Sequence, residues 1–251
     1  MTRPRKESLG RKRDHRLLPP LLLLALAVAG CARPLLERAI AARGGALQSL
    51  SRASQADVVR GFPGEWAWRF EYRVPDQLRW TIETYGEAQS VSYDGRTVRY
   101  FLGSATLPTP PAALGDFASI ARWTSVTTLD ALALDPDVVL RELPAGERPA
   151  GAAAALEVSY RSDGARYLLS FDGSDRLVAA EGPVAVPTIV AGRMRATFSG
   201  FTTTAGYLLP TVGDYTIEGE PFFRETVLRW VPNDPRLVPA SFAAPPAPDF
   251  R

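Results

Sequence analysis

The strongest constraint on the fold is a two-residue rhythm that recurs along the chain. Trp66, Trp68, Phe70 and Tyr72 alternate with Glu65, Ala67, Arg69, Glu71 and Arg73, and Leu78, Trp80 and Ile82 alternate with Arg79, Thr81 and Glu83. Val98, Tyr100 and Leu102 form the next set. Successive side chains of a strand point to opposite faces, so this alternation predicts strands with one buried face. Turn residues separate the runs: Phe62-Pro63-Gly64, Pro75-Asp76, Tyr85-Gly86-Glu87 and Asp94-Gly95. Runs joined this way read as consecutive antiparallel hairpins.

The period returns over 137–142, 154–161, 165–172, 175–181, 193–202, 207–218 and 222–231, with turns at Asp163-Gly164 and Asp172-Gly173. The expected buried sets are Leu156/Val158/Tyr160, Tyr167/Leu169/Phe171 and Leu228/Trp230. Helical spacing is confined to two places. Residues 34–52 carry Leu35, Leu36, Ala39, Ile40, Leu47 and Leu50 at helical intervals, with Gly44-Gly45 as a break or kink. After the prolines of 108–111, shorter helical stretches cover 112–122 and 127–134. The pattern predicts a mainly β (α+β) protein of about eleven strands. One curved antiparallel sheet forms an unclosed half-barrel around an apolar interior, with an N-terminal helix and a short helical lid. No hydrophilic linker divides the strands, so residues 31–231 read as one domain. Six prolines in 232–251 predict an extended or mobile tail.

The first 30 residues read differently. Positions 1–16 hold seven basic side chains against Glu7 and Asp14, and an apolar run from Leu17 to Gly30 follows. That is the pattern of a secretory signal peptide, and it is shorter than the roughly 20 apolar residues that span a bilayer. Its end, Val28-Ala29-Gly30-Cys31, resembles the bacterial lipobox, in which the cysteine is acylated and the leader removed. Two or three acyl chains anchor a protein stably where one does not. Ala32, in the place where an aspartate marks inner-membrane retention, implies an outer-membrane address facing the periplasm.

Losing the leader has chemical consequences. The only His is His15 and the only lysines are Lys6 and Lys12, while Cys31 is the only cysteine. The mature chain then has no imidazole, amine or free thiol, which excludes His-based triads, His or thiolate metal sites, Cys nucleophiles and Schiff-base lysines. Its formal charge falls from +2 to −3 once the seven basic and two acidic leader residues are gone. No basic patch points to nucleic acid. Asp163, Asp172 and Asp175 sit beside Gly or Ser in turns, where aspartate serves the backbone, so neither a catalytic carboxylate pair nor a calcium loop is expected. No cofactor and no metal are implied.

Three segments carry a family likeness. Pro75-Asp76-Gln77-Leu78-Arg79-Trp80 is similar to a Pro-x-x-x-Arg-Trp segment of the periplasmic lipoprotein carriers and their outer-membrane receptors, the LolA/LolB superfamily. Tyr93-Asp94-Gly95-Arg96-Thr97-Val98-Arg99-Tyr100 resembles their Ser-Asp-Gly hairpin, and Phe198 through Pro210 resembles their late strand pair. The likeness spans 35–231 and implies an unclosed barrel with a helical lid that holds an acyl chain. An acylated Cys31 fits the receptor-like branch. The carriers' arginine before the proline is Val74 here, with Arg73 one residue earlier. The receptor's apolar loop is replaced by Glu83-Thr84-Tyr85-Gly86-Glu87.

The expected ligand wall is the aromatic stripe Trp66, Trp68 and Phe70 together with Leu78, Trp80, Ile82 and Tyr100, since large aromatic faces line lipid sites as readily as they fill cores. Arginines between them read as solvated exteriors, with Arg79 as a candidate partner for a lipid headgroup. The resulting expectation is a non-catalytic, lipid-anchored protein that binds a hydrophobic ligand, the acyl chains of lipoproteins or a lipid. The alternative is an interaction or sensor module using the same scaffold to contact an envelope protein.

Overall fold

The computed structural model describes residues 20–84, 87–186 and 190–246. Helix α1 (Pro20–Arg43) precedes β1 (Ser49–Val58), β2 (Gly64–Arg73), β3 (Gln77–Thr84), β4 (Glu87–Tyr93), β5 (Val98–Leu102) and β6 (Ala105–Leu107). Helix α2 (Ala113–Thr128) leads to β7 (Val138–Glu142), β8 (Ala154–Tyr160), β9 (Arg166–Phe171), β10 (Leu177–Val186) and β11 (Val190–Ser199). The small hairpin β12 (Thr202–Thr204) and β13 (Tyr207–Leu209) follows, then β14 (Val212–Ile217) and β15 (Glu220–Pro232). The basic start of the leader and the Tyr85-Gly86 turn lie outside the described residues, as does the Cys31 side chain. Among the described residues, no helix is long and apolar enough to cross a membrane.

Thirteen strands form one sheet in the order β6-β5-β4-β3-β2-β1-β15-β14-β11-β10-β9-β8-β7, with antiparallel neighbours throughout. The first and last strands β1 and β15 meet in its middle, and β6 and β7 are its unpaired edges. The sheet is therefore the expected unclosed half-barrel. It has more strands than the rhythm revealed, because β4 and the short edge strand β6 lack an apolar alternation and residues 49–54 belong to β1, while Pro210 separates β14 from β13, which pairs with β12 in a small sheet of its own.

That last point corrects the helical reading of 34–52. Helix α1 ends at Arg43, and Gly44 and Gly45 both take positive φ. A Cβ on Gly44 would stand 2.2 Å from the Gly206 carbonyl oxygen, so the close passage of the β12–β13 turn requires glycine there. Leu47 and Leu50 pack with Leu209 beyond this break rather than extending the helix.

The concave face is covered by both helices. Leu35, Leu36 and Ala39 of α1 and Trp123 and Val126 of α2 pack on Leu156, Val158, Leu169 and Phe171. One turn apart along α2, Ala113, Phe117 and Ala121 reach the other half of the sheet, at Tyr72, Leu78, Tyr93 and Val98. The helical stretches expected at 112–122 and 127–134 are both present, with the first extended: α2 runs unbroken through Trp123-Thr124-Ser125 to Thr128, and a short 3-10 helix follows at Asp130–Ala133. The Thr124, Ser125, Thr127 and Thr128 hydroxyls each donate to a carbonyl four residues back, which satisfies these polar groups within the helix while packing against the sheet holds it.

The convex face departs most from expectation. Arg69, Glu71 and Arg79 are buried, not solvated. Glu71 bridges both guanidinium groups, and Arg79 donates to the carbonyls of Ser241 (2.8 Å) and Ala244 (3.2 Å). The tail is the cover: Phe242 is fully buried, Ser92 Oγ donates to its carbonyl at 2.7 Å, and Asp234 receives Ser49 Oγ on its own carbonyl. Residues 233–244 thus strap across β1 to β4 instead of extending freely. Leu228 is also misplaced by the rhythm. The β1–β15 register shifts between Ala53 and Ser54, so Val227 points inward and Leu228 is 68% exposed.

Candidate functional site

Between helix α2 and the β1–β5, β10–β11 and β14–β15 walls lies an open space of about 470 Å³. Trp66, Trp68 and Phe70 of β2 and Trp80 and Ile82 of β3 line one side. They converge because β2 and β3 pair Trp68 with Ile82 and Phe70 with Trp80, and paired residues share a face. Tyr100 joins them from β5, edge-on to Phe117 of the helical lid with centroids 6.1 Å apart. Val184, Met194 and Phe223 close the opposite side. Trp68 meets Trp80 at 5.4 Å and Phe223 at 5.5 Å, both edge to face, so the wall is held rigidly.

The expected wall residues do not all stand here. Leu78 lies outside the cavity, fully buried beneath α2 with Tyr72 and Phe117. Arg79 projects from the other face of β3 into the strap, and its ion pair with Glu71 is on the convex side. The headgroup role expected for it is corrected accordingly: its guanidinium cannot reach the cavity through the sheet. The turn aspartates keep backbone roles. Asp163 accepts from the Ala165 amide and Asp172 from the Ser174 and Arg176 amides. Among the described residues, no group of three or more His, Cys, Asp or Glu is disposed to hold a metal ion.

The main surprise is polar. At the inner end of the cavity, Arg52 of β1 donates from Nε to Glu225 Oε1 of β15 at 2.8 Å. Trp68 Nε1 donates to the same oxygen at 3.1 Å, and Tyr215 Oη donates to Oε2 at 3.2 Å. Arg52 Cζ lies 4.5 Å from the Phe70 ring centroid. Burial works against the ionised Glu225, but the Arg52 charge and the Trp68 hydrogen bond outweigh it and hold the carboxyl below its usual range. Burial likewise opposes the Arg52 charge, and Glu225 reverses it. Burial pushes the Tyr215 hydroxyl far up, so it remains a donor. Beyond this cluster is a smaller space of about 120 Å³, between Leu47, Leu50, Phe198, Leu209 and Trp230. Arg52, Trp123, Thr124 and Tyr215 face both spaces. Nothing in the rhythm marked Arg52 or Glu225, because a buried charge pair breaks the apolar alternation that reveals a strand. The one available sign was Glu225 at an inward position of an otherwise aromatic run.

The strand register places the mouth of the larger space. Val58, Phe62, Ile82 and Val186 lie at the end of the sheet where β1, β3 and β10 finish and β2, β4 and β11 begin. Phe62 is 59% exposed at that rim, and Trp66 Nε1 holds its carbonyl at 3.0 Å.

The described residues thus form an unclosed antiparallel half-barrel with a helical lid over an apolar cavity. No protein-family model matches the chain, and no curated protein matches it. Solved structures do. A LolA superfamily protein from Nitrosomonas europaea superposes with a TM-score of 0.53 at 15% identity, covering 84% of this chain and 96% of that one. A DUF1329 family protein from Desulfovibrio piger gives a TM-score of 0.52 at 12% identity, over 84% and 96% of the two chains. The chain is thus similar in fold to LolA superfamily and DUF1329 proteins.

Proposed function

We propose that this chain is an outer-membrane lipoprotein that takes an acyl chain, from a lipoprotein or a lipid, into the half-barrel without reacting with it. The cavity carries the reading. A core built for stability alone closes to native density, with few voids larger than a water molecule. Here rigid aromatic side chains line about 470 Å³ of space, within the range of about 300–1,000 Å³ usual for small-molecule sites. Each methylene moved from water into such a lining is worth about 0.8 kcal/mol, so a long chain supplies its own driving force. In the same reading residues 1–30 are removed and Cys31 is acylated, leaving the chain on the periplasmic face.

The test uses the full chain carrying Cys31→Ser, purified without detergent. Solvent extraction and mass analysis are expected to find co-purified lipid. The uncharged probe N-phenyl-1-naphthylamine is expected to brighten on binding and to change tryptophan emission. Ile82→Glu, which places a carboxylate in the lining, should weaken probe binding at least tenfold while unfolding stays cooperative. Protein that purifies empty and leaves the probe dark would overturn the proposal.

A further inference from the structure

The Arg52–Glu225 cluster has unused donor capacity facing the cavity. Glu225 is served by three donors, Arg52 Nε, Trp68 Nε1 and Tyr215 Oη. Arg52 spends one nitrogen on that carboxylate. The hydrogen bonds among the described residues give its Nη1 and Nη2 no acceptor, and neither is sealed from solvent. The guanidinium is fixed between the Phe70 face at 4.5 Å and the Trp230 face at 5.7 Å, and Arg52 lines both spaces. Two preoriented donors at the inner end of an otherwise apolar cavity constitute a polar subsite.

We infer that this subsite receives the carbonyl oxygen of an uncharged acyl group, an ester or an amide, whose hydrocarbon chain lies along the aromatic wall. The inference rests on the proposed acyl-binding function and adds which part of the ligand is recognised. Charge decides between ligand classes. Arg52 and Glu225 together are neutral, so a carbonyl adds hydrogen bonds without burying a net charge. An ionised carboxylate would leave the site with an uncompensated negative charge next to Glu225, after losing its own hydration. A plain hydrocarbon would displace the water that serves Nη1 and Nη2 and offer nothing in return.

Competition against N-phenyl-1-naphthylamine on the full chain carrying Cys31→Ser separates these cases. Four competitors of similar length are compared: methyl laurate, N-methyl lauramide, dodecane and, at pH 8, laurate. The ester and the amide are expected to bind about tenfold or more tighter than dodecane and tighter than laurate, as a hydrogen bond from a charged donor implies. Their relative strength distinguishes a glycerolipid ester from an N-acylated peptide as the source of the carbonyl. The double variant Arg52→Met/Glu225→Met replaces the pair by apolar groups of similar length. It should keep or strengthen dodecane binding and lose the preference for ester and amide. Equal binding of methyl laurate and dodecane to the unmodified pair, tightest binding by laurate, or a preference that survives in the double variant would each overturn the inference and leave the cavity reading standing. Failure of all four competitors together with a dark probe removes the cavity reading itself.

Discussion

Arg52 and Glu225 show what one buried ion pair does to a half-barrel. Taking two charges out of water costs several kcal/mol per ion, and the attraction between them returns this only when the remaining lone pairs are satisfied. Trp68 and Tyr215 supply that satisfaction for Glu225. Removing one partner strands the other, so Arg52→Met alone should cost about 3–5 kcal/mol; Arg52→Met/Glu225→Met leaves no charge behind and should cost less, about 1–3 kcal/mol, because Trp68 and Tyr215 lose their acceptor. The same pair makes an acid-sensitive term. The native Glu225 carboxyl is held below its ordinary value of 4.5, so the unfolded chain binds the proton first as pH drops. Its stabilisation is complete above about pH 4.5 and is lost as pH falls through the depressed native value. Urea midpoints measured from neutral pH down to about pH 3 should therefore fall more steeply for the unmodified chain than for the double variant. Parallel profiles would show that Glu225 is not held as described.

At the scale of elements, the C-terminal strap is what the sequence misrepresented most. Pro235, Pro239, Pro245 and Pro246 keep residues 233–246 from joining a ladder, yet a segment that makes no ladder can still cover one. Arg79 donates to two strap carbonyls, Ser92 to a third, and Phe242 fills the gap with no exposure at all. The convex face therefore carries a charged core, Arg69 and Arg79 about Glu71, that stays dry only while the strap is in place. Phe242→Ala should lower stability by about 3 kcal/mol, near the small end for such truncations because the strap can settle into the gap. Denaturant unfolding measures this. A loss under 1 kcal/mol, on the order of a surface substitution, would mean that the strap is not part of the cooperative unit. The helical lid has a similar logic. Its Thr and Ser residues read as a break in isolation, and their hydroxyls bond backward once Phe117 and Trp123 fix the helix against the sheet.

For the whole molecule, the proposed anchoring has its own test, separate from that of the cavity. Cys31→Ser expressed in a Gram-negative host should accumulate as an uncleaved precursor, because acylation of the thiol precedes removal of the leader in the lipobox pathway. Membrane fractionation and intact mass measure this, and a variant processed and localised like the unmodified chain would refute lipidation at Cys31. The fold could be read from residues such as Trp66, Trp68, Phe70 and Tyr72, because sheet geometry imposes a period of two on any strand with one buried face. The aromatic wall followed from the same rule, since shared faces need only register. Sequence by itself thus determined the sheet, its hairpins and the kind of residue inside it. Tertiary structure alone decided that Leu78 fills core while Trp80 lines space, that Arg79 faces the strap, and that Arg52 finds Glu225 across 173 residues of chain. The physical reason is that alternation reports which residues share a face of one strand. What covers that face, and what a buried charge meets there, depends on segments far away in sequence.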